Sequence, residues 1–392
     1  MSNLPSLGDR IRQLRGSLYT QQQLADRAGL SLTLIRKLEQ GQRQTCSVAS
    51  LHKIAWALDV TLADLLVPAS MPEHDQDQGI TALRHAVSLV GTPKDEPATI
   101  QDAQYAEISA WRTYDSGQHD VIVRTLPQLI RSLESSLSVS NHRDRPIYAK
   151  ALSQILLVAG HTLTLLRHPD AGHIATTRAV KLSEDLDDPF MAASAKSTLA
   201  WQLMVAGRFD ESRELSMTTA KDVEPAATHT IPQLSLYGSL LLLTGNSNAR
   251  AGNAGEAIHY LSEAREISLR VPDGSSAYNT NFGPSQISMQ HTDIAINLGE
   301  FGDALAASKT MPGSASALPA RDRYRHDIDR ALLSLKTGDE DRSVALLSSV
   351  STAAPVWFKN HRLPKSIVRD LLHTPAAKSE QLRGLATKLG VH

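Results

Sequence analysis

The sequence predicts an all-α chain: a module of five short helices, then an α-solenoid of helical hairpins. Three observations carry this. Apolar residues recur at i, i+3, i+4 and i+7 almost without interruption from about residue 101 onward. Strand-like alternation of β-branched residues is nearly absent. A glycine-centred phrase recurs along the C-terminal part, ending one helix and opening the next.

Composition agrees with a packed chain. With 392 residues, two or three structural units are expected. Hydrophobic residues at 41% and charged residues at 21% exclude wholesale disorder. The net charge of −1 gives no global field toward nucleic acid or membrane, so any such binding needs a local patch. One cysteine, Cys46, excludes an intrachain disulfide framework and a cysteine-rich zinc cluster. No apolar run approaches the roughly 20 residues that span a bilayer, and the N-terminus lacks the apolar core of a secretory signal. A cytoplasmic protein with no membrane partner is expected.

Charge is segregated along the chain. Residues 1–66 carry eight basic and five acidic side chains. Residues 67–100 carry two basic and five acidic ones. Residues 356–392 carry seven basic and two acidic ones, which reads as a solvated face on terminal capping helices. Domains are therefore expected at 1–68, 69–100 and 101–392. The middle segment is a connector punctuated by Pro68, Pro72, Pro93 and Pro97, with a short helix on Ile80, Leu83, Val87 and Val90.

Within the first module, Leu7, Ile11 and Leu14 give the first apolar stripe. Thr20 and Gln23 have the spacing of a capping box for a second helix, which Gly29 ends. Ser31 caps a third helix, Leu32–Gln40, that buries Leu34, Ile35 and Leu38 and stops at Gly41. Leu51, Ile54, Ala55 and Leu58 build a fourth, and Leu62, Leu65 and Leu66 a fifth. Cys46, in the loop after the third helix, reads as an ordinary partly buried thiol rather than a redox switch. The second and third helices, joined by a very short turn, form a helix-turn-helix.

The stretch Thr20-Gln21-x2-Leu24-Ala25-x3-Gly29-x5-Ile35-x3-Glu39-x-Gly41, continued by Leu51-x2-Ile54-Ala55-x2-Leu58-x-Val60, resembles the lambda-repressor/Cro-like (XRE) family of DNA-binding domains. The resemblance implies that the second helix crosses the phosphate backbone and the third enters the major groove. It places Gln21 as a phosphate clamp and Leu32, Thr33, Arg36 and Lys37 on the exposed side of the recognition helix. Arg36 or Lys37 could then pair with guanine, and Thr33 could touch a thymine methyl or a phosphate. Gln42 and Arg43 match the loop that grips phosphates, and Glu39 matches a structural position.

The C-terminal phrase is clearest at Gly207-Arg208-Phe209-Asp210-Glu211-Ser212. It recurs from Gly252, Gly299 and Gly338, with weaker versions at Gly117-Gln118-His119-Asp120 and Asp170-Ala171-Gly172-His173. The glycine turns the chain, and small residues early in the second helix allow close approach. The pattern resembles tetratricopeptide repeats, although spacings of 53, 37, 45, 47 and 39 all exceed the family period of 34. In such a solenoid the first helix of each hairpin, helix A, lines a concave face. Residues near that face are Trp111 and Tyr114, Arg167, Trp201 and Met204, Asn246, and Met289, Asp293 and Ile296, with Arg250 and Asn297 one step further round. Tryptophan supplies apolar area and asparagine can pair with a peptide backbone, so a peptide or small amphipathic ligand fits.

No phosphate-binding glycine loop, zinc-protease motif or Gly-x-Ser-x-Gly elbow is present. The histidine spacings match no closed metal site. Neither an enzyme nor a cofactor or metal is expected. The architecture resembles cytoplasmic quorum-sensing regulators that join an XRE domain to tetratricopeptide repeats. That resemblance implies a dimeric, ligand-responsive regulator on an inverted-repeat, double-stranded DNA operator. The groove chemistry also leaves open a scaffold whose repeats bind a regulatory protein.

Overall fold

The computed structural model describes residues 6–16, 19–44, 46–58, 60, 65, 73–88, 95–225, 229–311 and 317–391. Of the expected fifth helix, Leu62 and Leu66 lie outside these residues, as do Pro68, Pro72, Val90 and Pro93 of the connector; Leu65 is described, and is buried. Residues 1–164 with 170–186 form one compact unit, and residues 165–169 with 187–392 a second.

The first unit opens with α1 (Leu7–Arg15), α2 (Gln21–Ala28), α3 (Leu32–Glu39) and α4 (Val48–Ala57). Each begins on a hydroxyl cap: Ser6, Thr20, Ser31 and Ser47. Ser6–Asp9 and Thr20–Gln23 are full capping boxes, which satisfy donors the helix leaves unpaired. Ile11, Leu24, Ile35, Leu38 and Ile54 form the core. Gly8 lets α1 lie directly on α3, since a Cβ there would stand 1.8 Å from the Leu38 carbonyl oxygen.

Five helices complete this unit: α5 (Glu73–Val87), α6 (Ile100–Asp115), α7 (His119–Val139), α8 (Arg145–Leu165) and α9 (Pro169–Glu184). Val121 of α7 joins the core of the first four helices. Arg178 of α9 donates to the Val87 carbonyl at the end of α5 (2.7 Å) and pairs with Glu134 of α7. The short helix expected in the connector is thus tied down by the hairpins after it.

The second unit carries α10 (Pro189–Val205), α11 (Phe209–Asp222), α12 (Ile231–Arg250), α13 (Ala254–Ser268), α14 (Pro284–Leu298) and α15 (Phe301–Lys309). It ends with α16 (Ala320–Lys336), α17 (Glu340–Ala353), α18 (Pro355–Asn360), α19 (Arg362–Leu371) and α20 (Glu380–Leu389). The chain is all-α, with helical hairpins following the N-terminal module. The hairpin turns are structural copies. Gly117, Gly207, Gly252, Gly299 and Gly338 all have φ between 78° and 82°. Each N–H donates to the carbonyl three residues back, and the next residue's N–H to the carbonyl five back. Small residues early in the following helix close the hairpins. Ser212 donates to the Ala200 carbonyl (2.7 Å) and Ser343 to the Ala331 carbonyl (2.8 Å).

Two expectations are corrected. The second turn is not at Asp170–His173 but at Arg167, which takes the left-handed conformation (φ 69°) that glycine takes elsewhere. Gly172 instead lies within α9, where its missing Cβ makes room for Thr164 and the Gly160 carbonyl of α8. The near-absence of strands also has an exception. β1 (Ser275–Ala277) and β2 (Thr280–Phe282) pair antiparallel around a tight turn at Tyr278–Asn279, both at positive φ. This insertion accounts for the 47-residue spacing between Gly252 and Gly299.

Gly8→Ala is expected to cost about 1–3 kcal/mol or more, because the obstacle is backbone rather than a side chain that can turn aside. Denaturant unfolding checks this, and unchanged stability would contradict the close approach of α1 to α3. Arg167→Gly is expected to raise stability by about 1 kcal/mol by relieving a left-handed non-glycine residue; a lower melting temperature would contradict it.

Candidate functional site

Two arrangements of polar side chains stand out, one in each unit. In the first, α2 and α3 form the helix-turn-helix. Thr33, Arg36 and Lys37 project from α3 into solvent. Leu32, one turn before Arg36, is less exposed than these three. It is half-buried against the core of the four helices, so the expectation of an exposed reading position is corrected there: a leucine at the first turn of α3 closes the core instead. Gln42 and Arg43 are exposed, and the Arg43 N–H donates to the Lys37 carbonyl (2.9 Å), which folds the loop back onto α3.

Glu39 organises this face from beneath. It accepts from Arg15 Nε (2.8 Å) and Nη2 (3.1 Å) and from Gln21 Nε2 (2.8 Å). Burial pushes the Glu39 carboxyl up, but the Arg15 and Gln21 hydrogen bonds outweigh it and hold the group below its ordinary value. Gln21, the expected phosphate clamp, is thereby fixed at the start of α2, with its amide nitrogen turned toward Glu39. Arg27 ties α2 to α4: its Nε donates to the Ala57 carbonyl (2.9 Å) and its guanidinium lies over Tyr19 and Trp56. Burial pushes the Cys46 thiol up to about 11, with Arg43 pulling the other way, so the thiolate is scarce at neutral pH.

α4 also rests on α6. Lys53 pairs with Asp102 (2.9 Å) and Trp56 stacks on Tyr105 (5.1 Å between ring centres). His52 of α4 is 2% exposed, and among the described residues neither of its ring nitrogens is hydrogen-bonded. Burial lowers its pKa to about 4, although Asp102 raises it.

The second arrangement lies on the helix A face of the second unit. Asn246, Arg250, Asp293 and Asn297, singled out from sequence, come together there. Arg250 Nη2 pairs with Asp293 Oδ2 (2.7 Å), and its Nη1 donates to Asn246 Oδ1 (3.0 Å). Asn297 Nδ2 donates to Asp293 Oδ1 (3.1 Å), and Asn246 Nδ2 to Gln290 Oε1 (2.8 Å). Sequence reasoning missed Arg325 and Asp329. Arg325 of α16 pairs with Asp293 Oδ1 (2.8 Å) and with Asp329 (3.1 Å). Their spacing of i, i+4 was the available signal.

The carboxylates are driven apart electrostatically. Burial pushes Asp293 up, but Arg250 and Arg325 outweigh it and hold it well below the carboxylate range. Burial pushes Asp329 far up, Arg325 offsets this only in part, and the Asp293 charge adds to it. His361, half-buried nearby, has its pKa lowered to about 3 by burial and by Arg325 and Arg167. Guanidinium and amide donors on neighbouring helices can take a carboxylate or a peptide backbone.

The remaining expected ligand residues are elsewhere. Trp111 and Tyr114 are buried in the first unit, where the Trp111 indole donates to Gln154 Oε1 (3.0 Å) and Tyr114 packs against His119 and His161. The expectation that they line an open groove is corrected: α8, with His119 at the start of α7, closes over them. Met204 and Met289 are buried, and Trp201 and Ile296 half-buried. Arg167 is exposed at its turn.

The β-hairpin covers part of this face. Ser194 Oγ of α10 donates to the Tyr278 carbonyl (2.5 Å), and Phe190 stacks on Tyr278. Phe282 lies on α12 at Gly238, where a Cβ would come within 2.1 Å of the ring. Phe190, Ser194 and Trp201 fall on one face of α10, and Ser235 and Asn246 on one face of α12. The hairpin therefore occupies the N-terminal half of the helix A face and the charged cluster the C-terminal half.

Among the described residues, no group of three or more His, Cys, Asp or Glu side chains is placed to hold a metal ion, and no helix is long and apolar enough to cross a membrane. Residues 6–66 match the family described as "Helix-turn-helix domain". Those residues are thus a helix-turn-helix domain, set before helical repeats. No curated protein sequence matches the chain. Among solved structures it is similar to Bacillus thuringiensis PlcR in complex with the peptide PapR7 and DNA, at 12% identity and a TM-score of 0.35, covering 86% of this chain and 99% of that one. It is also similar to a Rap protein complexed with Competence and Sporulation Factor, at 9% identity and a TM-score of 0.47, covering 81% and 87%.

His52 gives the first unit a pH dependence. Its folded pKa lies below the unfolded value of 6.5, so its contribution is complete above about pH 6.5 and is lost as pH falls toward 4. The loss is expected to reach at most roughly 3 kcal/mol. Unfolding of the wild type and of His52→Leu between those pH values checks this, and an equally steep dependence in the variant would contradict it.

Proposed function

We propose that the chain is a dimeric, sequence-specific DNA-binding regulator whose repeats take a peptide or small-molecule ligand on the helix A face. The observation that carries the DNA half is the exposed row Thr33, Arg36 and Lys37 on α3. It is held in register by the Glu39 hub beneath it. In helix-turn-helix proteins the second of these helices enters the major groove and the first crosses the backbone. One such element reads one half-site, so two copies on an inverted repeat about 34 Å apart are required.

The ligand half is supported by the cluster of Asn246, Arg250, Asp293, Asn297 and Arg325. The hairpin closes the face at its N-terminal end, which suits a short ligand seated over the charged end. A ligand acts on DNA affinity only by binding two arrangements of the protein unequally. No catalytic step is proposed.

An electrophoretic titration of the full chain against genomic fragments tests the reading. Discrete complexes that survive competitor DNA support it, and none at any salt concentration would overturn it. On a recovered operator, Arg36→Ala is expected to weaken binding by roughly 1–3 kcal/mol and relax preference at one base pair. Equal loss on random DNA would assign Arg36 to a phosphate instead. Arg43→Ala is expected to weaken specific and random binding alike and to lower the salt slope by about one unit; an unchanged slope would contradict a phosphate role.

A further inference from the structure

The last helices of the second unit carry an excess of basic over acidic side chains. Residues 356–392 carry Lys359, Arg362, Lys365, Arg369, Lys378, Arg383 and Lys388 against Asp370 and Glu380, while the whole chain balances 40 basic against 41 acidic residues. A terminal repeat needs a polar outer face to stay soluble. Mixed charge would meet that need, so solubility alone does not account for the sign.

The helices sort these residues cleanly. α19 buries Pro364, Ile367, Val368 and Leu371 in the core of the last hairpins. Arg362, Lys365 and Arg369 fall on its other side at i, i+3 and i+7, the two arginines exposed and the lysine partly so. α20 buries Leu382, Leu385, Ala386 and Leu389 and leaves Arg383 and Lys388 exposed. Among the described residues, Arg362, Lys365, Arg369 and Lys378 make no ion pair. At about 1.5 Å per residue the α19 row spans about 10 Å. One DNA strand carries a phosphate about every 3.4 Å of helix axis, so the row is long enough to face more than one.

We infer that Arg362, Lys365 and Arg369 form a second DNA contact that grips duplex phosphates without reading sequence. Duplex DNA fits better than a lipid surface. A helix lying on a membrane needs a large apolar face beside its cations, and no large apolar side chain of residues 355–391 is among the exposed ones. The inference goes beyond the operator reading and does not depend on a specific site, because phosphate contacts are independent of sequence.

The test uses the full chain and a random-sequence duplex of about 40 base pairs, with anisotropy titrations over a range of salt concentrations. The triple variant Arg362→Ala, Lys365→Ala, Arg369→Ala is expected to bind more weakly and to lose two to three units of salt slope, about 0.9 per cation. Its melting temperature should match the wild type, since all three side chains point away from the core. The charge-conserving variant Arg362→Lys, Lys365→Arg, Arg369→Lys should keep the slope. An unchanged slope in the alanine variant overturns the inference and leaves a solvated cap. Wild-type binding to phosphatidylserine vesicles that the alanine variant loses, with its DNA slope intact, overturns it in favour of a membrane surface. Neither result touches the operator titration, which depends on α3.

Discussion

Asp293 is the constraint on which the repeat unit depends. One buried carboxylate of α14 is shared between Arg250 of α12 and Arg325 of α16. Taking such a group out of water costs several kcal/mol unless its partners stay in place. Three successive A helices are therefore held in one register, because a slip of either neighbour leaves a buried charge unpaired. Asp329 competes for the same Arg325 and is pushed toward its neutral form by burial and by the charge of Asp293. The amides of Asn246, Gln290 and Asn297 are oriented by the same cluster. A face held this rigidly needs little further ordering when a ligand arrives.

The helix-turn-helix uses the same device on a smaller scale. Glu39 at the end of α3 holds Arg15 from α1 and Gln21 from α2, so the three helices meet on one carboxylate. The domain is also seated on the hairpins beyond it. Lys53–Asp102, Trp56 on Tyr105 and the buried His52 join α4 to α6, and Val121 enters the domain's core. A change in the first hairpins thus has a packed route to the helix that carries Arg36.

Much of the fold was legible because helical periodicity and caps are local. Thr20 with Gln23, Ser31, Gly29 and the glycine turns from Gly207 to Gly338 need only near neighbours to act. The second turn was misplaced because Arg167 stands where the pattern wants glycine, while Gly172 serves close packing inside a helix. The β-hairpin was missed because its strands are three residues long and its turn uses Tyr278 and Asn279 in place of glycine. Helical spacing from the turns found Asn246, Arg250, Asp293 and Asn297, but it could not tell an open face from a closed one. Trp111 and Tyr114 have the same spacing and are covered by α8, a tertiary fact with no local signature. Leu32 likewise faces the core because of what packs beside it.

The proposed regulation has the helix A cluster govern DNA binding by the helix-turn-helix domain. It is tested most directly by the operator affinity of full-length Arg250→Gln, with thermal unfolding run alongside. Arg325 still pairs with Asp293 in that variant, so the fold is expected to persist. Coupling between a sensor and its output is typically worth about 1–3 kcal/mol. An operator affinity changed roughly 5- to 150-fold is expected, although no residue of α3 has been altered. Identical affinity in a folded variant, with and without cell extract as a source of ligand, would contradict it.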